Sequence, residues 1–470
     1  MSISLDKFVN VNLVHHETST ASTTRDTVIL LTTEDVKETT FTNIPEYGKT
    51  LNKYYDTDVY KWDTSTSSYS LPELYEFFYN GPSSEIDKST TEIITLTFKN
   101  NLKDIYEYLR VYFNNGGVKV KLIPVSSTIS IDDLVTKISE LDDEYIVVSA
   151  VLDNNVLSLS NLNKVAKKLD KLYYGTDLTT AKGNLINISS TKTKSGIHRK
   201  LLLTRAKYSD IKSKSDSTGS KYADLENIYT SKSLIVKYAS CRNTYDDDLN
   251  VTGTEEQIGD EMSIAAYLSR INIDNSGSVA DYCYTTEACY PDVKCEDSAH
   301  GTTSVEVDDD LYDVLKSAHF TFVTRLANQN KAVGGDTCGG YSFVNEYISI
   351  IVHQTVTNAL INILVNKPSS TTISGLMNST ICSELTKYVT NGYLTKNKTW
   401  YDSTLNVTKN GTEYTIITNG TALNKGYYVT VLPNSSLTQT EKKNHQAPYA
   451  YIILAETDAI RVIDVGGEII

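Results

Sequence analysis

The sequence predicts an α/β layer, α+β over the whole chain, with a β-rich C-terminal part. Three observations predict it. Between 102 and 204, amphipathic helical stretches alternate with short apolar runs across short connections. From Thr399 onward the helical period vanishes, and Asn-Gly pairs punctuate alternating segments. Both chain ends carry strand-like segments set off by polar stretches, so both read as arms.

In chain order, Val9, Val11 and Leu13 alternate with Asn10 and Asn12, as a half-buried strand does. Glu17 to Asp26 is a Thr/Ser linker, and Val28 to Thr32 is the first buried strand. Leu71 to Tyr79 predicts a short helix with Ser70 as N-cap and Pro72 in its first turn. Ile93 to Phe98 is a strand. Leu102 to Phe113 places Leu102, Ile105, Leu109 and Phe113 on one helical stripe, and Asn115-Gly116-Gly117 stops it. Val118 to Val125 is a strand; Ile131 to Leu141 is a helix capped by Ser130. Tyr145 to Ala150 is the next strand. Leu159 to Tyr173 turns Leu162, Val165, Ala166 and Leu169 inward, and strands follow at 185–189 and 200–204.

After Thr204 the pattern loosens. Lys207 to Lys221 reads as a loop, Leu234 to Ala239 as a strand, Glu255 to Arg270 as a helix and Phe320 to Leu326 as a strand. Helices are expected over Phe343 to Val365 and Ile373 to Thr390, the second with Ile381, Leu385 and Tyr388 on one stripe and Asn391-Gly392 at its end. Strands over 404–407, 412–418 and 427–432 surround turns at Asn410-Gly411 and Asn419-Gly420. The expected division is an arm and first strand at 1–32, an α/β region at 33–204, a peripheral insertion at 205–319 and a C-terminal core at 320–470.

Composition narrows the function classes. The net charge is −14, which argues against a duplex nucleic acid as main partner. No run of eighteen apolar residues is present, so direct membrane insertion is not expected. The first residues lack a basic segment followed by an apolar one, so synthesis and folding in a cytoplasm are expected. The 33 Tyr against 9 Phe and 2 Trp favour broad contacts with a polar tip, as at interfaces.

Catalytic and ligand motifs are incomplete. Cys283, Cys289 and Cys295 are six apart with His300 nearby, not in the C-x2-4-C pairs of a zinc knuckle. Gly334 to Gly340 is dense in glycine, but Tyr341 stands where a phosphate loop needs Lys. His353 is followed by Gln354, so H-E-x-x-H is absent, as is G-x-S-x-G. The expectation is no enzymatic activity, no catalytic residue, no metal and no cofactor. An enzyme on the α/β layer, a surface adhesin and another structural component of a large assembly remain as other classes.

The C-terminal segment carries the most pointed signal. Ala450 to Leu454 is a short apolar run. Ile460, Val462, Ile463, Val465, Ile469 and Ile470 then crowd the last eleven positions around Gly466-Gly467. Such a segment either completes its own sheet as an edge strand or adds to the sheet of a neighbouring copy. The expected use is the second, paired with a neighbour's strand at Val9, Val11 and Leu13. The polar stretches at 17–26 and 433–448 would serve as leashes.

Four stretches together resemble the phage contractile-tail sheath family, in its divergent branch. They are ISLDKFVNVNLVHHETSTASTTRDTVILLTTE, then LPELYEFFYNG with LKDIYEYLRVYFNNGGVKVKLIPV, then TRLANQNKAVGGDTCGGYSFVNEYISIIVHQTVTNALINILVN, and finally APYAYIILAETDAIRVIDVGGEII. The resemblance implies a sheath-like core with an inserted peripheral domain and extended arms. It implies stacked hexameric rings around a tail tube, contraction to drive the tube through a host envelope, and no catalytic residues. Implied partners are other copies of the chain, the tail tube, and baseplate and terminator proteins. The implied place is the virion tail, assembled in the host cytoplasm.

Overall fold

A computed structural model describes residues 27–45, 50–52, 61–65, 68–81, 93–99, 102–141, 147–153, 155–174, 200–206, 231, 233–246, 251–270, 292–293, 312, 315, 320–326, 329–334, 359, 372–401, 403–443 and 447–455. Its centre is an eight-stranded mixed sheet. In chain order the strands are β1 (Thr27–Thr32), β2 (Thr39–Phe41), β3 (Lys119–Pro124), β4 (Val147–Ala150), β5 (Leu201–Ala206), β6 (Leu234–Tyr238), β9 (Thr321–Leu326) and β10 (Gln329–Gly334). Strands β7 (Ser240–Tyr245) and β8 (Val251–Glu256) form a separate antiparallel hairpin, to which Asp292–Val293 adds a third strand.

The sheet runs β10-β9-β6-β5-β4-β1-β3-β2. The six inner strands are parallel; β2 and β10 are antiparallel at the two edges. The order reverses at β1. The chain steps from β1 to β3 on one side, then crosses back to β4 on the other. Right-handed crossovers in opposite directions must lie on opposite faces of the sheet. Helix α2 (Leu102–Asn114) therefore covers one face, and α3 (Ile131–Ser139) and α4 (Leu159–Tyr174) cover the other.

Alternation along β1 shows the two cores. Val28 and Leu30 join one apolar cluster with Ile105, Tyr108 and Leu109 of α2. Ile29 and Leu31 join the second, with Leu134 and Ile138 of α3 and Leu162 and Val165 of α4. All four β1 residues are fully buried. Each such Val, Leu or Ile stabilises the fold by about 1.5–3 kcal/mol relative to exposure. The α2 stripe is wider than the four residues expected. Tyr106, Tyr108, Val111 and Tyr112 are buried beside Leu102, Ile105 and Leu109, while Phe113 is only half-buried.

Ser130 caps α3 as expected, its hydroxyl accepting from the Asp133 N–H at 3.1 Å. Ser70 does not cap α1 (Glu73–Phe78). Its backbone pairs with Lys61 in a two-stranded ribbon, and Pro72 takes the cap position without a side-chain bond. The helix expected over Glu255 to Arg270 is two elements. Val251–Glu256 is β8, and only Met262–Ser269 is helical, as α5. The left-handed Gly259 (φ +71) divides them.

The expected boundary at 205 falls inside the sheet. Strand β5 runs on to Ala206, and β6 pairs with it in parallel from Leu202↔Leu234 to Ala206↔Tyr238. The segment 205–319 thus gives the central sheet a strand, because Leu234, Ile235, Val236 and Tyr238 are all buried within it. Strand β10 was not expected; Gln329–Gly334 returns antiparallel to β9. Apart from Ala359, which is helical, the expected elements at 185–189 and 343–365, the loop 207–221, Cys283, Cys289, Cys295, His300, His353 and Gly335 to Gly340 lie outside the described residues.

The C-terminal part begins with α6 (Ile373–Thr390), whose Ile373, Met377, Ile381, Leu385 and Tyr388 are buried. After β11 (Lys398–Thr399) comes a hairpin, β12 (Leu405–Lys409) and β13 (Thr412–Ile417). Its turn has Asn410 at φ 49 and Gly411 at φ 74, the positive pair a type I′ turn requires. Strand β14 (Ala422–Leu423) pairs with β11, and β15 (Tyr427–Val431) pairs with β16 (Ala450–Leu454). Asn419-Gly420 therefore leads into β14, not directly into the next long strand.

Candidate functional site

Two places carry the chemistry of the described residues. The first is the C-terminal end of β5 and β6, where polar groups are buried. The second is the β15–β16 pair, from which the expected donor segment departs.

On β5, Leu201 and Leu203 face the α2 cluster, and Arg205 continues that parity. On β6, Ile235 does the same and Lys237 continues it. Arg205 and Lys237 are register partners on adjacent parallel strands. The turn from β8 to α5 folds over them. Lys237 Nζ donates to the Asp260 carbonyl at 2.9 Å and lies 3.3 Å from Asp260 Oδ2. Asp260 Oδ2 also accepts from the Ser240 N–H at 2.8 Å. Arg205 Nη1 donates to Glu256 Oε1 at 2.6 Å and to the Gln257 carbonyl at 3.0 Å. The guanidinium stands 6.0 Å from the Tyr108 ring centre.

Gly259 permits this closure. A Cβ there would meet the Tyr108 Cα at 2.7 Å. Burial is the main force raising the Tyr108 hydroxyl above its ordinary value, with Glu261 adding to it. Burial opposes the Arg205 charge, but the acidic groups around it, Glu256 in direct contact among them, outweigh burial and raise its value. Lys237, Asp260 and Glu261 are each 0 % exposed. A group sealed from solvent cannot meet a substrate, so the cluster fastens the β7–β8 hairpin and α5 to the sheet. Its sequence signal was a lone cation in each of two apolar runs, LLLTRA and LIVKY, at a core-facing parity.

Ligands of doubly wound enzymes sit outside the C-terminal ends of the strands, where strand order reverses. Here that crevice holds Asp153. Its Oδ2 accepts from the Thr33 hydroxyl at 2.9 Å, and its Oδ1 accepts from the N–H groups of Asn155 and Leu157, both at 2.8 Å. The N–H groups of Asn155 and Leu157 are thereby committed to a carboxylate of the same loop. Among the described residues no group of three His, Cys, Asp or Glu is placed to hold a metal ion. Among them, too, no helix is long and apolar enough to cross a membrane. Cys382 is a free thiol on α6.

In the C-terminal part, β16 is buried on both faces. Ala450 and Ile452 face the cluster that holds the α6 residues. Ile453 packs with Trp400, Ile417 and Leu423, and Tyr451 with Ile416 and Leu432. Beyond β16, the Ala455 N–H donates to the Gly426 carbonyl at 2.9 Å, and its carbonyl accepts from the Thr395 N–H at 2.8 Å. The chain is therefore fixed as far as Ala455.

This corrects the expected leash at 433–448. Those residues connect two strands that pair with each other, and Leu432 N–H to Tyr449 carbonyl (2.8 Å) closes the connection. It contains a 3-10 turn at Asn434–Ser436 and helix α7 (Gln439–Lys443). Thr438 and Glu441 cap that helix reciprocally, at 2.6 Å and 3.2 Å. Tyr449 donates to Glu441 Oε1 at 2.7 Å, and Lys409 Nζ lies 3.7 Å from the Tyr449 ring centre. That bond is the first reason Glu441 titrates below its ordinary value. Burial, with Glu441 next, pushes the Tyr449 hydroxyl up to about 12.

The expected intersubunit residues Val9, Val11, Leu13, Ile460, Val462, Ile463, Val465, Ile469 and Ile470 all lie outside the described residues.

Residues 340–469 match a protein family described as "E217 tail sheath protein gp31-like, C-terminal domain". Over that span the chain is similar to a tail sheath C-terminal domain. The sheath resemblance read in the sequence is thereby borne out. The matched span takes in α6, the β12–β13 hairpin and the β15–β16 pair. No curated protein matches it. Among solved structures, a 6-fold symmetrised cryo-EM structure of the anti-feeding prophage baseplate is similar at 12% identity and TM-score 0.45. That likeness covers 100% of this chain and 96% of that one. A crystal structure of the sheath tail protein from Desulfitobacterium hafniense is similar at 8% identity and TM-score 0.34, covering 94% and 99%.

Proposed function

We propose that this chain is the structural subunit of a phage contractile tail sheath. The observation that carries the reading is the family match over 340–469. In this reading the subunits form hexameric rings that stack helically around a tail tube. Other copies of the chain are its main partners, with the tube, baseplate and terminator proteins at the remaining surfaces. Assembly takes place in the host cytoplasm and the product is part of the virion tail.

Contraction then drives the tube through the host envelope without cofactor or nucleotide. The energy is stored at assembly as a difference between two packings of the same subunits. Linked subunits must stay joined while their side-chain interfaces repack, and an added strand supplies a backbone link that survives the change. The proposed link pairs Ile460, Val462, Ile463 and Val465, anchored by Ile469 and Ile470, with a neighbour's Val9, Val11 and Leu13. Because the chain is fixed as far as Ala455, the C-terminal tether is shorter than 433–448 would have given.

Negative-stain microscopy of the purified full chain tests the proposal. Long striated tubes are the expected product. Discrete particles at all concentrations and salt conditions would overturn it.

A further inference from the structure

The cluster at the end of β5 and β6 does not balance its charges. Arg205 and Lys237 bring two cations; Glu256, Asp260 and Glu261 bring three carboxylates. Glu256 is committed to Arg205, and Asp260 to Lys237 and the Ser240 N–H. That leaves Glu261. It is 0 % exposed, and no hydrogen bond of good geometry reaches either carboxyl oxygen, although the Tyr108 hydroxyl and the residue's own N–H stand close by. An ionised carboxylate left bare in such a place is strongly disfavoured, and the usual escape is to keep the proton.

We propose that Glu261 is held as the neutral acid in the folded protein, and that its proton lets the β8–α5 turn seat on the sheet. The groups facing it come from each packed element. They are Tyr108 from α2, Arg205 from β5, Lys237 from β6 and Asp260 from the turn itself. One proton on Glu261 brings the five charges to neutrality. With the proton lost, the turn buries an unpaired negative charge beside Asp260. The segment held by this tie includes the β7–β8 hairpin, which is outside the central sheet and joined to it through Asp260 and Gln257.

The acidity of Glu261 agrees with that geometry. Burial first, then Asp260, lift it from 4.5 to about 7, against the pull of Arg205. The sign follows from linkage. The folded state holds the proton more tightly than the unfolded one. The stabilisation is full below the unfolded value near 4.5 and is lost as pH rises through about 7. The unfolding constant should rise by about two orders of magnitude across that window.

The experiment is infrared difference spectroscopy on the full chain, wild type against E261Q, through a pH series. We expect a carboxylic-acid C=O band at about pH 6, absent from E261Q, that bleaches toward about pH 8.5. Denaturant melts should show wild-type stability falling over that range and E261Q nearly flat. If only carboxylate bands appear at about pH 6, Glu261 is ionised and solvated internally, and the proposal fails. Should E261Q not fold, the wild-type acid band decides by its midpoint, since surface carboxyls titrate at about pH 4 and Glu261 at about 7.

Discussion

Lys237 and Asp260 form an ion pair at 3.3 Å with both side chains 0 % exposed. Two charges taken out of water are stable only when each also has hydrogen bonds. Lys237 has the Asp260 carbonyl and the Ser263 hydroxyl, and Asp260 has the Ser240 N–H. Removing one member strands the other. Lys237→Met should therefore cost roughly 3–5 kcal/mol of stability. Adding Asp260→Asn should recover part of the loss, because the stranded charge goes with it. Denaturant melts of the single and double variants measure the coupling. Equal losses in both would show that the pair contributes shape, not charge balance.

Two glycines with nearly the same backbone separate strain from close packing. Gly259 has φ 71 and Gly411 has φ 74. A Cβ at Gly411 meets nothing within 4 Å, whereas one at Gly259 meets Tyr108 backbone at 2.7 Å. Gly411→Ala should cost about 1–2 kcal/mol from left-handed strain alone. Gly259→Ala should cost more by at least about 1–3 kcal/mol, because α2 must shift and the ionic cluster with it. Thermal melts of both variants check the difference.

Legibility in the sequence followed the physics of each segment. Apolar runs such as VILLT and AYIIL were readable as strands because nothing competes with burial there. The α6 helix was readable because Ile381, Leu385 and Tyr388 repeat along one stripe. Neither β10 nor the place of β6 was readable, since periodicity shows that a strand exists but not which strand it joins. The helix start at 262 was missed because Glu255 and Glu256 resemble a helical first turn. Pairing with Arg242 and Cys241 of β7 makes Glu255 and Glu256 strand residues. The stretch 433–448 read as a leash from its polar composition. Its order comes partly from the local Thr438–Glu441 cap, and partly from Leu432–Tyr449 pairing and the Tyr449–Glu441 bond, which depend on β16 returning beside β15. The proposed intersubunit residues were nominated by apolar content and, at Val9, Val11 and Leu13, by alternation.

The 433–448 connection should open without loss of the strands it joins. Tyr449→Phe removes the hydroxyl that donates to Glu441 and keeps the ring over which Lys409 sits. The expected cost is about 1 kcal/mol or less, as for a single exposed hydrogen bond. Hydrogen exchange should quicken for Thr438 to Lys443 and stay unchanged for β15 and β16. Faster exchange in Tyr427–Val431 would mean that the connection, not side-chain burial, holds the strand pair.

Truncation after Asp458 separates folding from assembly. The described core is complete before that point. Strand β16 ends at Leu454, and Ala455 already makes its bonds to Gly426 and Thr395. Trp400, Ile417 and Leu423 pack on Ile453 within the same chain. Residues 460–470 hold six β-branched apolar side chains that would leave on the order of several hundred Å2 unburied if left free. At ~25 cal/mol per Å2 that would be several kcal/mol of unmet burial. Under the sheath proposal a neighbouring subunit provides it. The truncated chain should then keep its melting temperature and circular dichroism but form no tubes. Full-length chain added to it should be capped, since truncated subunits accept a strand and donate none. Normal tube formation by the truncated protein would mean that 459–470 completes its own sheet, as an edge strand does. A lowered melting temperature with tubes intact would point the same way.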